Sequence, residues 1–207
     1  LDKQEYFRMT DLLSDFKIQN YQEAFAELVK SLYVHTVSSD KDALNEQILK
    51  ILLNNINDYT SVLSILKDDQ TVQGHYLRGK AYAKALYKAN LENKGSERQG
   101  IIEKINQSIE YLKKHNQEKY AQELNIEKEY LSNNQRMDTQ LLSEIENFLG
   151  IYPNAEVSDL FSFYVGEHYL SIQNYSKADQ CLTRIKSMDY LPKMRLERTL
   201  IVISSYY

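Results

Sequence analysis

With 207 residues, 43% of them hydrophobic, the chain has ample apolar material for a core and is excluded from the disordered class. Six Gly, two Pro and no Trp leave little for the corners of sheets and barrels, which favours helices joined by short connections. A formal net charge of −4 excludes the molecule as a whole from being an electrostatic match for nucleic acid.

Apolar periodicity predicts helices, in chain order, over 3–16, 20–36, 41–56, 59–67, 72–93, 97–114, 117–133, 138–149, 157–171, 175–188 and 192–207. The stretch "NLENKGSERQG" is the longest connection and the candidate internal break, near 93–100, in what otherwise reads as one domain over 1–207. Ser96 with Gln99 has capping-box spacing, Asp138 can cap the helix that follows it, and Gly150 with Pro153 is expected to stop that helix. The opening residues carry no signal-peptide pattern, and no apolar run reaches membrane-spanning length. The single Cys181 cannot form an internal disulfide, so a reducing compartment, cytoplasm or nucleus, is expected. The chain starts at Leu1 and stops within "LIVISSYY", which reads as a piece of a longer protein.

One phrase recurs. "IQNYQEA" begins at Ile18, "INDYTSV" at Ile56 and "IQNYSKA" at Ile172. Three residues after the tyrosines Tyr21, Tyr59 and Tyr175 stand Ala24, Val62 and Ala178, and seven after them stand Leu28, Leu66 and Leu182. Steps of three and four follow one helix face, so each copy marks a helix end, a polar turn and the first turns of a second helix. The Asn or Asp before each tyrosine suits the turn, because its short side chain caps nearby backbone. "YLRGKAY" and "FYVGEHY" share aromatic, Gly and Tyr at fixed intervals. Glycine inside a helix costs about 1 kcal/mol relative to alanine, so Gly79 and Gly166 are read as points of close helix approach.

These residues resemble the tetratricopeptide repeat family. "VGEHYLSIQNYSKADQCL" matches most of its pattern, "RGKAY" the first half, "QNYQEAFAEL" and "NDYTSVLSIL" the second half, and "FLGIYP" the exit. The first two turn tyrosines lie 38 residues apart, longer than the family period of about 34, and 97–150 carries little of the motif. The resemblance implies an all-α fold, a right-handed α-solenoid of stacked antiparallel helical hairpins. Each hairpin has more than one apolar face and buries them by stacking. It also implies a concave face that holds ligands.

Chemistry of catalysis is not legible. His35, His75, His115 and His168 are scattered, without zinc-site spacing or a Cys pair, and neither a phosphate loop nor a nucleophile elbow occurs. Asp68 and Asp69 read as a solvated turn, and Cys181 as a packed thiol. No cofactor is expected. Between Gln70 and Leu91 there is no acid, whereas Arg78, Lys80, Lys84 and Lys88 all occur, the lysines on one face. The repeat frame aims Gln73, Tyr76, Lys80 and Lys84 at the concave side, with Gln47, Ile51, Asn54 and Asn55 before them. Amides bond a ligand's backbone and lysines its carboxylates, so these positions form a candidate groove for an acidic segment; the rival reading is a solvated lysine edge. Reversing Lys80 and Lys84 to Glu is expected to leave folding intact. The carboxylate clamp of chaperone-binding relatives is missing, since its places hold Gln73 and Leu77, with Met9 and Leu13 in the first repeat.

The functional expectation is a non-enzymatic protein-interaction scaffold with protein or peptide partners, acidic ones included, without nucleic acid or membrane insertion, and as part of a larger complex. Two alternatives stand beside it. One is a structural subunit, as in the repeat subunits of the anaphase-promoting complex, which the N-terminal hairpins resemble. The other is a peptide-responsive sensor similar to bacterial pheromone receptors.

Overall fold

The computed structural model describes residues 46 and 48–185, and of residues 55 and 56 the backbone alone. The helices read over 3–16, 20–36 and 192–207, the elbow at Tyr21 and the residue Gln47 lie outside the described residues. Among the described residues the fold is all-α, with no strand. A π-helix, Ile51–Ile56, is followed by α1 (Tyr59–Ile65), α2 (Val72–Leu91), α3 (Gly95–Lys114), α4 (Glu118–Ser132), α5 (Thr139–Ile151), α6 (Ser158–Ser171) and α7 (Tyr175–Leu182). The spans predicted for α1 to α6 fall within about two residues of these at either end. The chain divides into two compact units, Leu1–Leu124 and Asn125–Tyr207.

The turns explain the glycine count. No glycine has positive φ; among the described residues the left-handed positions are Asn57, Asn93, Asn116, Asn134, Gln135 and Gln173. Four of them stand in the same helix-ending motif, in which the following N–H returns to a carbonyl five residues back: Lys94 to Ala89 (3.0 Å), Gln117 to Leu112 (2.9 Å), Gln135 to Tyr130 (2.8 Å) and Asn174 to Tyr169 (2.8 Å). Asparagine tolerates this backbone better than most residues with a Cβ, so it does the work that glycine usually does.

The recurring phrase folds alike in both described copies. Asn57 and Gln173 take φ of 62°, and the next residue caps the new helix: Asp58 Oδ1 accepts from the Ser61 N–H (3.1 Å) and Asn174 Oδ1 from the Lys177 N–H (3.3 Å). Tyr59 and Tyr175 are then the first residues of α1 and α7. Both repeated apolar positions are buried in each copy, Val62 and Leu66 in one and Ala178 and Leu182 in the other.

Several local readings are corrected. The long connection shrinks to Glu92–Lys94, because α2 runs to Leu91 and α3 starts at Gly95. Ser96 therefore lies inside the first turn of α3, whose cap residue Lys94 makes no side-chain capping bond, and the capping box does not form. Asp138 does cap α5, accepting from the Leu141 N–H at 2.8 Å. Gly150 does not stop α5, which continues to Ile151 before Pro153. The last described helix ends at Leu182 rather than near 188, with the Thr183 hydroxyl donating to the Asp179 carbonyl at 2.8 Å.

In the first unit the buried residues include Ile48, Leu52, Leu53, Val62, Leu66, Leu77, Ala81, Leu86, Ile105 and Leu112. Arg78 Nη1 donates to the carbonyls of Leu66 and Asp69 and so fastens the end of α1 to α2. In the second unit one cluster joins Ile126, Leu141, Ile145, Phe148, Phe161, Phe163, Ala178 and Leu182. Phe148 and Phe161 meet edge to face at 5.2 Å. The two glycines of the matching helix motifs sit at close approaches: a Cβ on Gly79 would collide with Leu124 Cδ1, and one on Gly166 would lie 2.6 Å from Leu182 Cδ2 and 2.7 Å from its Cγ.

Gly166→Ala is therefore expected to destabilise. The clash, about 1–3 kcal/mol for overpacking, outweighs the roughly 1 kcal/mol that alanine adds to a helix. In urea titrations the losses from Gly166→Ala and Leu182→Ala should sum to more than the loss in the double variant; strict additivity would mean that the two positions do not touch. Ala178→Arg, which forces charge and volume into a position with no exposed surface, should cost stability on the order of several kcal/mol and so lower the melting temperature. An unchanged melting temperature would refute the seam.

Candidate functional site

The acid-free stretch is placed on α2, and the structure supplies its acid from far along the chain. Glu123, in the first half of α4, is 2% exposed at its side chain and faces α2. Its Oε1 accepts from the Tyr76 hydroxyl at 2.5 Å and from the Lys80 ammonium at 3.0 Å. Lys80 keeps 13% of its side-chain exposure. Tyr120, one turn before Glu123, lies against the Tyr76 ring at 4.4 Å between centroids. A carboxylate removed from water needs a cation and several donors, and here it receives both.

Two of the candidate groove residues, Tyr76 and Lys80, are thus joined around one buried carboxylate. Gln73, Lys84 and Asn54 are half-buried. Gln47 and the side chain of Asn55 lie outside what is described, and Ile51, assigned to the concave side with them, is buried in the core. The other two cations of the stretch are engaged as well. Arg78 caps α1, and Lys88 lies 3.9 Å from Glu92 and 6.0 Å from the centre of the Tyr59 ring. Lys80 is neither a solvated edge nor an open binding point. The residue that sequence reasoning missed is Glu123, and its one trace is position. It stands beside Leu124 and three residues after Tyr120, on the apolar face, where an unpaired acid would not be stable.

A second tyrosine network stands in the other unit. The Tyr169 hydroxyl donates to Glu146 Oε1 at 2.7 Å and accepts from Lys177 Nζ at 3.2 Å. Burial, followed by the bond to Glu146, pushes the Tyr169 phenol above its usual range, and the bond to Tyr169 raises Lys177. Burial also raises the Cys181 thiol, which disfavours the reactive thiolate. Asp69 is turned inward, over Gly74, and accepts from the Thr71 N–H at 2.7 Å. No group of three His, Cys, Asp or Glu among the described residues could hold a metal ion, and none of the described helices is long and apolar enough to cross a membrane. No family model, curated protein or solved structure matches the chain.

The buried triad corrects the expected tolerance of Lys80. Lys80→Glu brings a second carboxylate against Glu123 and should destabilise the first unit, by about 3–5 kcal/mol if it behaves as a broken buried pair. Lys80→Met in a Glu123→Leu background, which removes both charges, should recover most of that loss. Chemical denaturation of the single and double variants measures it; a Lys80→Glu chain as stable as the parent would place the ammonium in solvent.

Proposed function

We propose that the chain is a non-enzymatic protein-interaction scaffold, built of helical hairpins in the manner of tetratricopeptide repeats. The observation that supports this reading most is the elbow itself. Residues 57–59 and 173–175 repeat the left-handed residue, the side-chain cap and the leading tyrosine, once in each unit, and bury the same two apolar positions after it. Repetition of a hairpin corner is the economy of an array, in which each new hairpin supplies surface as well as core. The polar networks around Glu123 and Glu146 then serve to hold helices in register, a role buried polar groups fill where each donor and acceptor is matched. Partners would be protein or peptide segments laid along helix faces.

The test is capture of partners from the native source, followed by titration of each recovered segment against the purified chain. Saturable binding in fixed stoichiometry is expected. Replacing Gln73 and Lys84 together by alanine should weaken it severalfold if α2 contributes to the contact, since a minority of interface residues carry more than about 1 kcal/mol each. A chain that binds nothing saturably, or that turns over a captured small molecule, would overturn the scaffold reading.

A further inference from the structure

The first turn of α2 and the last turn of α3 are clasped by three stacked rings. His75 lies flat on Tyr111, with centroids 3.5 Å apart and planes 7° apart, and Tyr111 stacks on His115 at 4.0 Å and 21°. The Tyr111 hydroxyl donates to the Gln70 carbonyl at 2.5 Å, which ties the same clasp to the connection between α1 and α2. His115 Nδ1 lies 2.8 Å from the Tyr111 carbonyl, and a carbonyl can only accept, so that nitrogen carries the proton. His75 differs. Its Nε2 is shut off from solvent and has no hydrogen-bond partner among the described residues.

That asymmetry has a chemical consequence. A neutral imidazole can leave its bare nitrogen in a dry place at modest cost, but an imidazolium must present an N–H at both nitrogens. A second proton on His75 would either sit on a buried donor with no acceptor or force the ring to turn out of the stack. The charged groups that face the ring are Arg78 on its own helix, His115 on α3 and Asp69 in the connection before α2. Arg78 and His115 oppose a positive charge there, and Asp69 alone favours one.

We propose that the His75–Tyr111–His115 stack is an acid-released latch, closed when His75 is neutral and opened at the mouth of the α2–α3 hairpin when His75 takes up a proton. Burial first, and then Arg78, hold His75 below its ordinary value of 6.5 in the folded chain. The unfolded or locally opened chain therefore binds the proton first. The stability that the latch contributes is whole above pH 6.5 and is lost as pH falls through the window between that value and the lower folded one. Opening would release Gln70 and the start of α2 without requiring the rest of the unit to unfold.

Amide exchange of the full chain between pH 8 and pH 5 tests this, read as protection factors so that the intrinsic pH dependence is removed. Protection at 70–76 and 111–116 should fall severalfold on acidification, while the buried segment around Ile105 keeps its own. His75→Phe, which retains a flat ring but cannot be charged, should abolish the acid response, and His115→Phe should retain it. Equal acid loss in the His75→Phe chain, or no loss in the parent, would overturn the latch. Should His75→Phe fail to fold, imidazole titration of the parent by NMR decides instead: His75 must titrate below 6.5, and titration at or above that value would overturn the proposal.

Discussion

At five of the seven connections between the described helices the chain turns through residues held in the left-handed conformation, and there that place is always taken by Asn or Gln. The constraint is severe, because the last carbonyls of each helix must find donors within a few residues of the turn. The five-back hydrogen bond meets it at the ends of α2, α3, α4 and α6. Helix lengths, and with them the positions that come to face one another inside each unit, follow from where those turns fall. Glycine is left free for another purpose, and at Gly79 and Gly166 it lets a leucine lie on the helix backbone.

Those two glycines show how far pattern carries. They occupy matching places in "YLRGKAY" and "FYVGEHY", and both were legible as contact points. Their partners do not match. Gly166 receives Leu182, from the helix that follows its own after the elbow, whereas Gly79 receives Leu124, two helices further on. Local spacing records that a helix surface is notched but not which neighbour fills the notch.

Helices, elbows and the Asp138 cap could be read because each depends on residues a few positions apart. The candidate groove was harder for the opposite reason. A run of 20 residues from Thr71 to Asn90 without an acid reads as basic only while its surroundings are ignored, and Glu123 is 43 residues from Lys80 along the chain. Arg78 is hidden in the same manner, since its acceptors are backbone carbonyls that no charge count includes. The short turn at Glu92–Lys94 escaped because the polar residues after it resemble a loop in composition, while Ser96, Glu97 and Gln99 lie on the outside of a helix.

The enclosure of Glu123 with Lys80 reaches beyond stability. One cation of α2 is spent inside the fold and Arg78 is turned onto carbonyls, while the whole chain carries a formal charge of −4. Charges farther apart than the Debye length of about 8 Å in physiological salt are largely screened, so an approaching molecule senses the groups left at the surface and not a lysine row. Whatever long-range steering there is at low ionic strength follows the net charge of −4, and added salt would weaken it.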